Sequence, residues 1–407
     1  MVADVSAHPP ILPVILAGGS GARLAPISTP ECPKPFVAWP NGHCLYRQAI
    51  ERLSRGWLPP LVIGREQDRF RLLNHVRDAG RAYGGILLEH QPFNTGFAVA
   101  LAAAWLERHA AVPLTLALLP ADHLIRPVAP WQQAIQHAAE VAARAGQHCL
   151  LSARPRWDET GYGYIDADWH AKPTGSAFLI RRFVEKPAQP GACIAQGMQW
   201  NTGQVLVTIS VLIDLFQKYA PEYLATARRM VGHATRSYEF TMLACDAARD
   251  PGLEAVPFDR LILEKADGYV IPLDAEWGDL GTVARWQEYA GVGQGTSRTD
   301  RPWGYFEMLA HDERRVLKKL TIYPGARLSL QQHQFRDEHW QVLQGVATVQ
   351  ADGATHLLEI HDEISIRAGC WHRLENNGTE NLIIIETQIG KCLESDILRK
   401  EDDYGRI

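Results

Sequence analysis

The chain changes texture once, near residue 300, and this change restricts its fold more than any other feature. From residue 12 to about 290, short apolar runs of strand length alternate with longer stretches of helical spacing. "LPVILAG" (12–18) and "PLTLALLPADH" (113–123) are strand-like runs that stop at glycine or polar residues, and "FAVALAAAWLERHAA" (97–111) between them reads as a helix. "WQQAIQHAAEVAARAG" (131–146) reads as another, with Gly146 at the left-handed position that ends helices. Such alternation builds a mostly parallel sheet with helices on both faces. Ligands of these sheets bind outside the carboxyl ends of the strands, where "AGGSG" and "PADH" fall. Beyond residue 300, "RVLKKLTIYPGARLSL", "DEISIRAG" and "NLIIIETQIG" are β-branched runs with no helical pattern between them, and Asp352-Gly353 marks a hairpin. That stretch predicts a small all-β barrel or sandwich.

The expected division is therefore residues 1–290, a linker at 291–300 rich in Gly, Ser and Thr, and residues 301–407. A chain of 407 residues is long enough for two or three cores. Its formal net charge of −5 argues against a protein that coats nucleic acid and for one that takes small anions in local basic pockets. Seven cysteines (Cys32, Cys44, Cys149, Cys193, Cys245, Cys370 and Cys392) are scattered without a C-x-x-C pair, which suits reduced thiols in a cytoplasmic protein. The opening "MVADVSAHPP" has no basic leader, and the apolar run after it is too short to cross a bilayer, so no membrane partner is expected.

Gly18, Gly19 and Gly21 strip side chains from the end of the first strand, and Arg23 and Lys34 follow as fixed cations. Bare backbone N–H groups and two positive charges suit a polyphosphate. A glycine-rich turn is also used for steric reasons alone, and neither the P-loop G-K-[ST] nor the dinucleotide G-x-G-x-x-G spacing is present. Further on, "SLQQHQFRDEHW" and "AGCWHRLEN" offer Gln331, His333, Glu338 and His372, a mixed nitrogen and oxygen set suited to Zn²⁺ or another divalent first-row ion. Gln331 and His333 are two apart and share a strand face.

In order, "GGSGARL", "PKPF", "NTG", "PADH", "GYGYI", "VEKP", "WNTG" and "WGDLG" resemble the sugar-nucleotide pyrophosphorylases, specifically the mannose-1-phosphate guanylyltransferases, across residues 12–290. The resemblance implies an α/β nucleotidyltransferase domain of the glycosyltransferase-A-like type. It implies that Leu16, Ala17, Gly18, Gly19, Gly21, Arg23, Lys34, Asn94 and Asp122 bind the nucleotide, and that Asp122 and Asp279 hold Mg²⁺. Lys186 takes the sugar phosphate, while Gly161, Tyr162, Glu185, Asn201 and Asp279 bind the sugar substrate. Arg23, Lys34, Asp122, Lys186 and Asp279 are thus the expected catalytic set of the transferase half.

Residues 301–406 resemble a cupin barrel, and more closely the phosphomannose isomerase domain of the bifunctional members, through "RPWGYFE", "PGARLSLQ", "EHW", "HRLEN" and "EDDYGR". Arg373 is the expected phosphate or charge-stabilising residue there, and His339 is the guess for the base. The implied substrates are GTP, mannose 1-phosphate and mannose 6-phosphate, and a homodimer is expected. Alternatives are a transferase whose cupin is only a structural or dimerisation module, and a non-catalytic sugar-nucleotide sensor. The chain departs from the family pattern at Ala22, Ala25, Phe93, Phe97, Phe335 and Arg367, and lacks most of the segment that usually joins the two halves.

Overall fold

The structure, a computed structural model, describes residues 9–19, 28–29, 32–38, 43–169, 177–243, 252–281, 298–311, 315–392 and 396–405. It divides into two compact units, Met1–Gly293 and Gln294–Ile407.

The first unit contains strands β1 (Ile11–Ala17), β2 (Leu61–Arg65), β3 (Gly85–Glu89), β4 (Thr115–Pro120), β5 (Leu124–Arg126), β6 (His148–Ala153), β7 (Gly163–Ala167), β8 (Phe178–Glu185), β9 (Gln199–Thr208), β10 (Thr235–Ser237), β11 (Phe240–Leu243), β12 (Gly268–Pro272) and β13 (Glu276–Gly278). Its helices are α1 (Leu45–Glu51), α2 (Arg69–Asp78), α3 (Asn94–His109), α4 (Val128–Ala145), α5 (Pro190–Ala195), α6 (Ile209–Tyr219) and α7 (Pro221–Gly232). Eleven strands join in the order β10-β11-β3-β2-β1-β4-β9-β6-β12-β8-β7. β3, β2, β1 and β4 run parallel, whereas β9 is antiparallel to both β4 and β6. The parallel core is therefore followed by a mixed half.

β1 is apolar along its whole length because both its faces are covered. Leu12 and Val14 pack into one core with α3, α6 and α7, while Ile11, Ile15 and Ala17 pack into the other with α1, α2 and α4. The Ala-rich α3 is buried from Gly96 to Ala104 because it is wedged against α6 and α7. α4 has one buried stripe, Trp131, Ile135, Ala138 and Ala142, and stops at Gly146 with φ +62. No helix among the described residues is long and apolar enough to cross a membrane.

The second unit contains β14 (Arg298–Arg301), β15 (Gly304–His311), β16 (Arg315–Ile322), β17 (Leu330–His333), β18 (Arg336–Gln344), β19 (Ala347–Ala351), β20 (Ala354–Leu358), β21 (Glu363–Ile366), β22 (His372–Glu375), β23 (Leu382–Gly390) and β24 (Ile397–Glu401). They form two sheets, β14-β15-β16-β23-β18-β21 and β20-β19-β22-β17-β24, sharing one core around Trp303, Ile322, Trp340, Val349 and Leu374. Inward positions change character along the strands. On β18, Arg336 and Glu338 precede Trp340 and Val342; on antiparallel β23, Leu382 and Ile384 precede Glu386 and Gln388. The register sets Glu338 beside Gln388 and Val342 beside Ile384. One end of the interior is thus oily and the other polar, and the polar end carries the chemistry.

Gly304 fixes the β14–β15 corner. Its φ is +147, and a Cβ there would lie 1.9 Å from the Thr321 carbonyl oxygen. Gly304→Ala is expected to cost this unit about 3 kcal/mol through backbone strain and overpacking. Thermal unfolding of the full chain would show it as an earlier transition; an unchanged melting curve would contradict this account of the corner.

Candidate active sites

In the first unit the site forms where strands end. β1 runs out at Gly18 and Gly19, and β4 runs into Asp122 and His123. β13 pairs antiparallel with β5, with Gly278 opposite Leu124, and this ribbon brings Asp279 back beside Asp122. Lys34 completes the group from a single 3₁₀ turn, Lys34–Phe36. Its buried amine donates to Asp122 Oδ2 at 2.7 Å and to both the carboxylate and the backbone carbonyl of Asp279. Burial opposes the charge on Lys34, but the Asp122 and Asp279 carboxylates outweigh it and raise its pKa. His123 is pushed the other way, down to about 4 by burial, and accepts a 3.2 Å hydrogen bond from the Trp277 indole N–H as a neutral ring. Lys34, Asp122 and Asp279 therefore meet, while Gly21 and Arg23 lie outside the described residues.

A second group sits at the same strand edge. Lys186, in a left-handed conformation with φ +49, donates its backbone N–H to the Tyr162 carbonyl, and its amine pairs with Glu185 at 2.8 Å. The Tyr162 ring stands edge-on to Trp200 and Trp277, so it serves as wall. Gly161 donates its N–H to Glu159. Asn201 is buried and donates to Asp259 at 2.7 Å. Asp259 was missed in the sequence; it opens a five-residue π-helical turn, Asp259–Leu263. Burial and the nearby Glu185 raise its pKa to about 6, against the Asn201 bond and Lys186.

A carboxyl whose pKa rises on folding is disfavoured when ionised, so its contribution to stability falls as pH climbs through about 6. Asp259→Asn keeps an acceptor for Asn201 and removes that penalty. The variant is expected to gain stability relative to the parent between pH 4 and pH 7, by roughly 1–2 kcal/mol because Asp259 is only half-buried and solvent screens it. Paired urea melts at both pH values would show the gain; a difference constant with pH would contradict it.

"NTG" at 94–96 turns out to be a docking device. Asn94 donates to the Ala255 carbonyl, Thr95 Oγ1 accepts from the Phe258 N–H, and a Cβ on Gly96 would meet the Val256 oxygen at 2.4 Å. The three residues seat the segment that leads into Asp259. Phe93 and Phe97 pack edge-to-face, and Phe97 continues into the core against Tyr223. A separate cavity of about 1460 Å³ is lined by Arg126, Arg154, Arg156, Trp200, Glu276 and Trp277, and by none of Lys34, Asp122, Asp279, Glu185 or Lys186.

In the second unit, strand alternation gathers the predicted ligands. His333 Nε2 lies 3.1 Å from Glu338 Oε1, His372 Nε2 lies 3.5 Å from Glu338 Oε2, and all three are buried. Gln331 reaches His333 Nε2 at 3.5 Å. The backbone carbonyl of Cys370, 3.0 Å from His372 Nδ1, takes that proton and leaves Nε2 as a lone pair. His372 Nε2 and Glu338 Oε2 have no hydrogen-bond partner although both are buried, as two groups waiting for a cation are. Burial would raise the Glu338 carboxyl, but the His333 and His372 rings beside it hold it well below the usual carboxylate range.

Two predicted residues do not join this set. Arg373 follows His372 on β22 and so faces the other side of the sheet, where it pairs with Glu401 at 3.1 Å. His339 follows Glu338 on β18 and turns outward to Ser365 and Glu363. The cations that do line the polar interior are Arg301, Lys318, Arg336 and Arg399, around a cavity of about 60 Å³ that also touches Gln331, Glu338 and Glu386. Arg336 donates to Glu338. Their signal was in the sequence: Arg336 is two residues before Glu338 and shares its face.

Residues 12–290 match the family model described as Nucleotidyl transferase. The chain belongs to that family. Residues 292–403 match the model described as Mannose-6-phosphate isomerase C-terminal, starting two residues after the nucleotidyl transferase match ends. This nucleotidyl transferase is 32% identical to the xanthan biosynthesis protein XanB of Xanthomonas campestris pv. campestris (strain B100), over 97% of this chain and 99% of XanB. It is 30% identical to an Escherichia coli mannose-1-phosphate guanylyltransferase, over 97% of this chain and all of that one. The XanB alignment runs over 481 positions against 407 residues here, so the relative has stretches that this chain lacks. Among solved structures, a Thermus thermophilus protein described as a mannose-1-phosphate geranyltransferase is 27% identical with a TM-score of 0.56, covering 67% of this chain and 76% of its own. A Helicobacter pylori mannose-6-phosphate isomerase shares the fold at 23% identity and a TM-score of 0.56, covering 66% of this chain and 99% of its own. Neither share fits within Gln294–Ile407, so both likenesses take in the nucleotidyl transferase unit.

Proposed function

We propose that the chain transfers GMP from GTP to mannose 1-phosphate, releasing pyrophosphate and GDP-mannose for polysaccharide synthesis, and that its second unit interconverts mannose 6-phosphate and fructose 6-phosphate. The observation that carries the first activity is the convergence of Lys34, Asp122 and Asp279 beside the bare backbone of Gly18 and Gly19. The relatives' names and the two family matches along one chain support both.

In the transfer, an oxygen of mannose 1-phosphate forms a bond to the α-phosphorus as the bond to the bridging α–β oxygen breaks, and pyrophosphate leaves. Both reactants are anions, so the protein's work is to align them and offset charge. Gly18 and Gly19 let the triphosphate approach backbone N–H groups; Lys34, with Arg23, binds it and steadies the departing pyrophosphate. Lys186 holds the sugar's phosphate, and Glu185, Asn201 and the Gly161–Tyr162 turn read its hydroxyls, with Asp259 orienting Asn201. Asp122 and Asp279 form an oxygen-only pair around a cationic amine, a set that fits Mg²⁺. Such an ion neutralises phosphate charge.

Gln331, His333, Glu338 and His372 fit Zn²⁺ or another divalent first-row ion, because two imidazoles and a carboxylate converge, with His372 Nε2 and Glu338 Oε2 left without partners. That ion supplies Lewis acidity toward a sugar carbonyl. Arg301, Lys318 and Arg399 line the same cavity and would meet the substrate phosphate. A cavity of about 60 Å³ has room for an ion and a water, so a sugar phosphate would need these side chains to move. The reading includes a cytoplasmic homodimer with small-molecule partners and no nucleic acid.

Product analysis tests it. Full-length protein given fructose 6-phosphate should yield mannose 6-phosphate, and given GTP, Mg²⁺ and mannose 1-phosphate should yield GDP-mannose by phosphorus NMR. Transfer without isomerisation, at full metal occupancy, would reduce the second unit to a structural module.

A further inference from the structure

Interconversion of an aldose and a ketose requires a group that takes a proton from one sugar carbon and returns it to the next, and no residue assigned so far does this. His339 turns outward to Ser365 and Glu363. The interior of the second unit must supply the base. Among the side chains that line its polar cavity, the arginines cannot give up a proton, and Gln331 and Gln388 are neutral amides. Glu338 is committed to the set it forms with His333 and His372. Lys318 and Glu386 remain, and they lie 3.6 Å apart as cation and carboxylate.

Glu386 is held in place from three strands. On β23 it faces inward two residues before Gln388, and the register sets it between Lys318 of β16 and Trp340 of β18. It is only 5% exposed. Gln388 Nε2 donates to Glu386 Oε1 at 2.7 Å and to Glu338 Oε1 at 3.1 Å, so one buried amide fixes Glu386 next to the converging ligands without making it one of them. Lys318 also meets Oε1, while Oε2 takes no hydrogen bond among the described residues. One oxygen is anchored and the other is open to the cavity.

We infer that Glu386 is the catalytic base of the isomerisation, carrying a proton between C2 and C1 of the open-chain sugar phosphate on its free oxygen. The inference rests on the isomerase reading and adds to it the residue that moves the proton. Glu386 Oε2 takes the C2 proton of mannose 6-phosphate, and the electrons of that C–H bond form a C1–C2 double bond while the oxygen on C1 gains the proton that the C2 hydroxyl loses. The C2 oxygen then forms the ketone as the electrons of the double bond take the proton back from Glu386 at C1. The product is fructose 6-phosphate, and no other reactant is consumed.

The test uses the full chain loaded with its divalent ion. In D₂O, parental conversion of fructose 6-phosphate should place deuterium on C2 of mannose 6-phosphate, read by proton NMR, because a carboxyl proton exchanges with solvent. Glu386→Gln should lower isomerisation about 10³-fold through kcat, with KM within roughly 3-fold of the parent. Its metal content by mass spectrometry and its pyrophosphate release from GTP should match the parent's. Glu386→Asp keeps the carboxylate and draws it back by one carbon, so it should hold its metal and lose about 10–100-fold in kcat. A folded Glu386→Gln that keeps about a tenth or more of the turnover overturns the inference. So does one whose metal falls in step with its turnover, since Glu386 would then only support the ion. Product free of deuterium from the parent also overturns it, because hydrogen would be passing between the carbons without a base. If Glu386→Gln does not fold, Glu386→Asp decides, and parental turnover at parental metal content would count against the role. A parent that carries its metal and converts no fructose 6-phosphate removes the isomerase reading and the inference together.

Discussion

Asp122→Asn is expected to lower pyrophosphate release from GTP and mannose 1-phosphate by about 10³-fold or more, while isomerisation continues at the parental rate. The substitution keeps shape and removes one of two carboxylates that converge on Lys34. With a single carboxylate left, the pair no longer holds a divalent ion tightly, and Lys34 loses one of the charges that keep it in place. Some loss of stability accompanies this, because a buried amine is left with less compensation. Both assays on one preparation, with a melting curve, separate chemistry from unfolding. Retention of a tenth of the transfer activity would show that Asp122 holds neither ion nor lysine in the working enzyme. Loss of both activities from a folded variant would show that the two units do not act independently.

The second large effect is the converse. His372→Ala should abolish isomerisation and lower affinity for the divalent ion by about 100-fold or more, with transfer unchanged. His372 is buried, its Nδ1–H is committed to the Cys370 carbonyl, and its Nε2 has no partner but the site itself. Alanine leaves Glu338 with one imidazole in place of two. Metal content by mass spectrometry, read beside fructose 6-phosphate turnover, decides the matter. A variant that keeps both its metal and its turnover would place the ion elsewhere.

Much of this was legible because motifs and strand ends coincide. "PADH" and "WGDLG" put carboxylates just past apolar runs, and the structure joins them through the β5–β13 ribbon. What alternation of strand and helix does not carry is strand direction, so the antiparallel insertion of β9, and with it the placement of Asn201, was not readable. Asp259 lies in "PFDRLILEK", where an aspartate before an apolar run looks like any helix start; only the fold reveals that Gly96 lets Val256 approach and swings Asp259 onto Asn201. Arg373 and His339 show a different limit. Each adjoins one of the converging residues Glu338 and His372 in sequence, and in a strand that adjacency sends a side chain to the opposite face. Stepping by two from Glu338 finds Arg336 and Trp340 instead, and both point inward.

The most direct measurement is pyrophosphate release by the purified full-length chain with Mg²⁺, across each nucleoside triphosphate paired with mannose 1-phosphate or glucose 1-phosphate. Release confined to GTP with mannose 1-phosphate, and stopped by chelation of the metal, is the result predicted from Lys34, Asp122 and Asp279 together. No release with any pair, from folded protein, would contradict the central claim and leave the second unit's buried His333, Glu338 and His372 as the place where this chain does its chemistry.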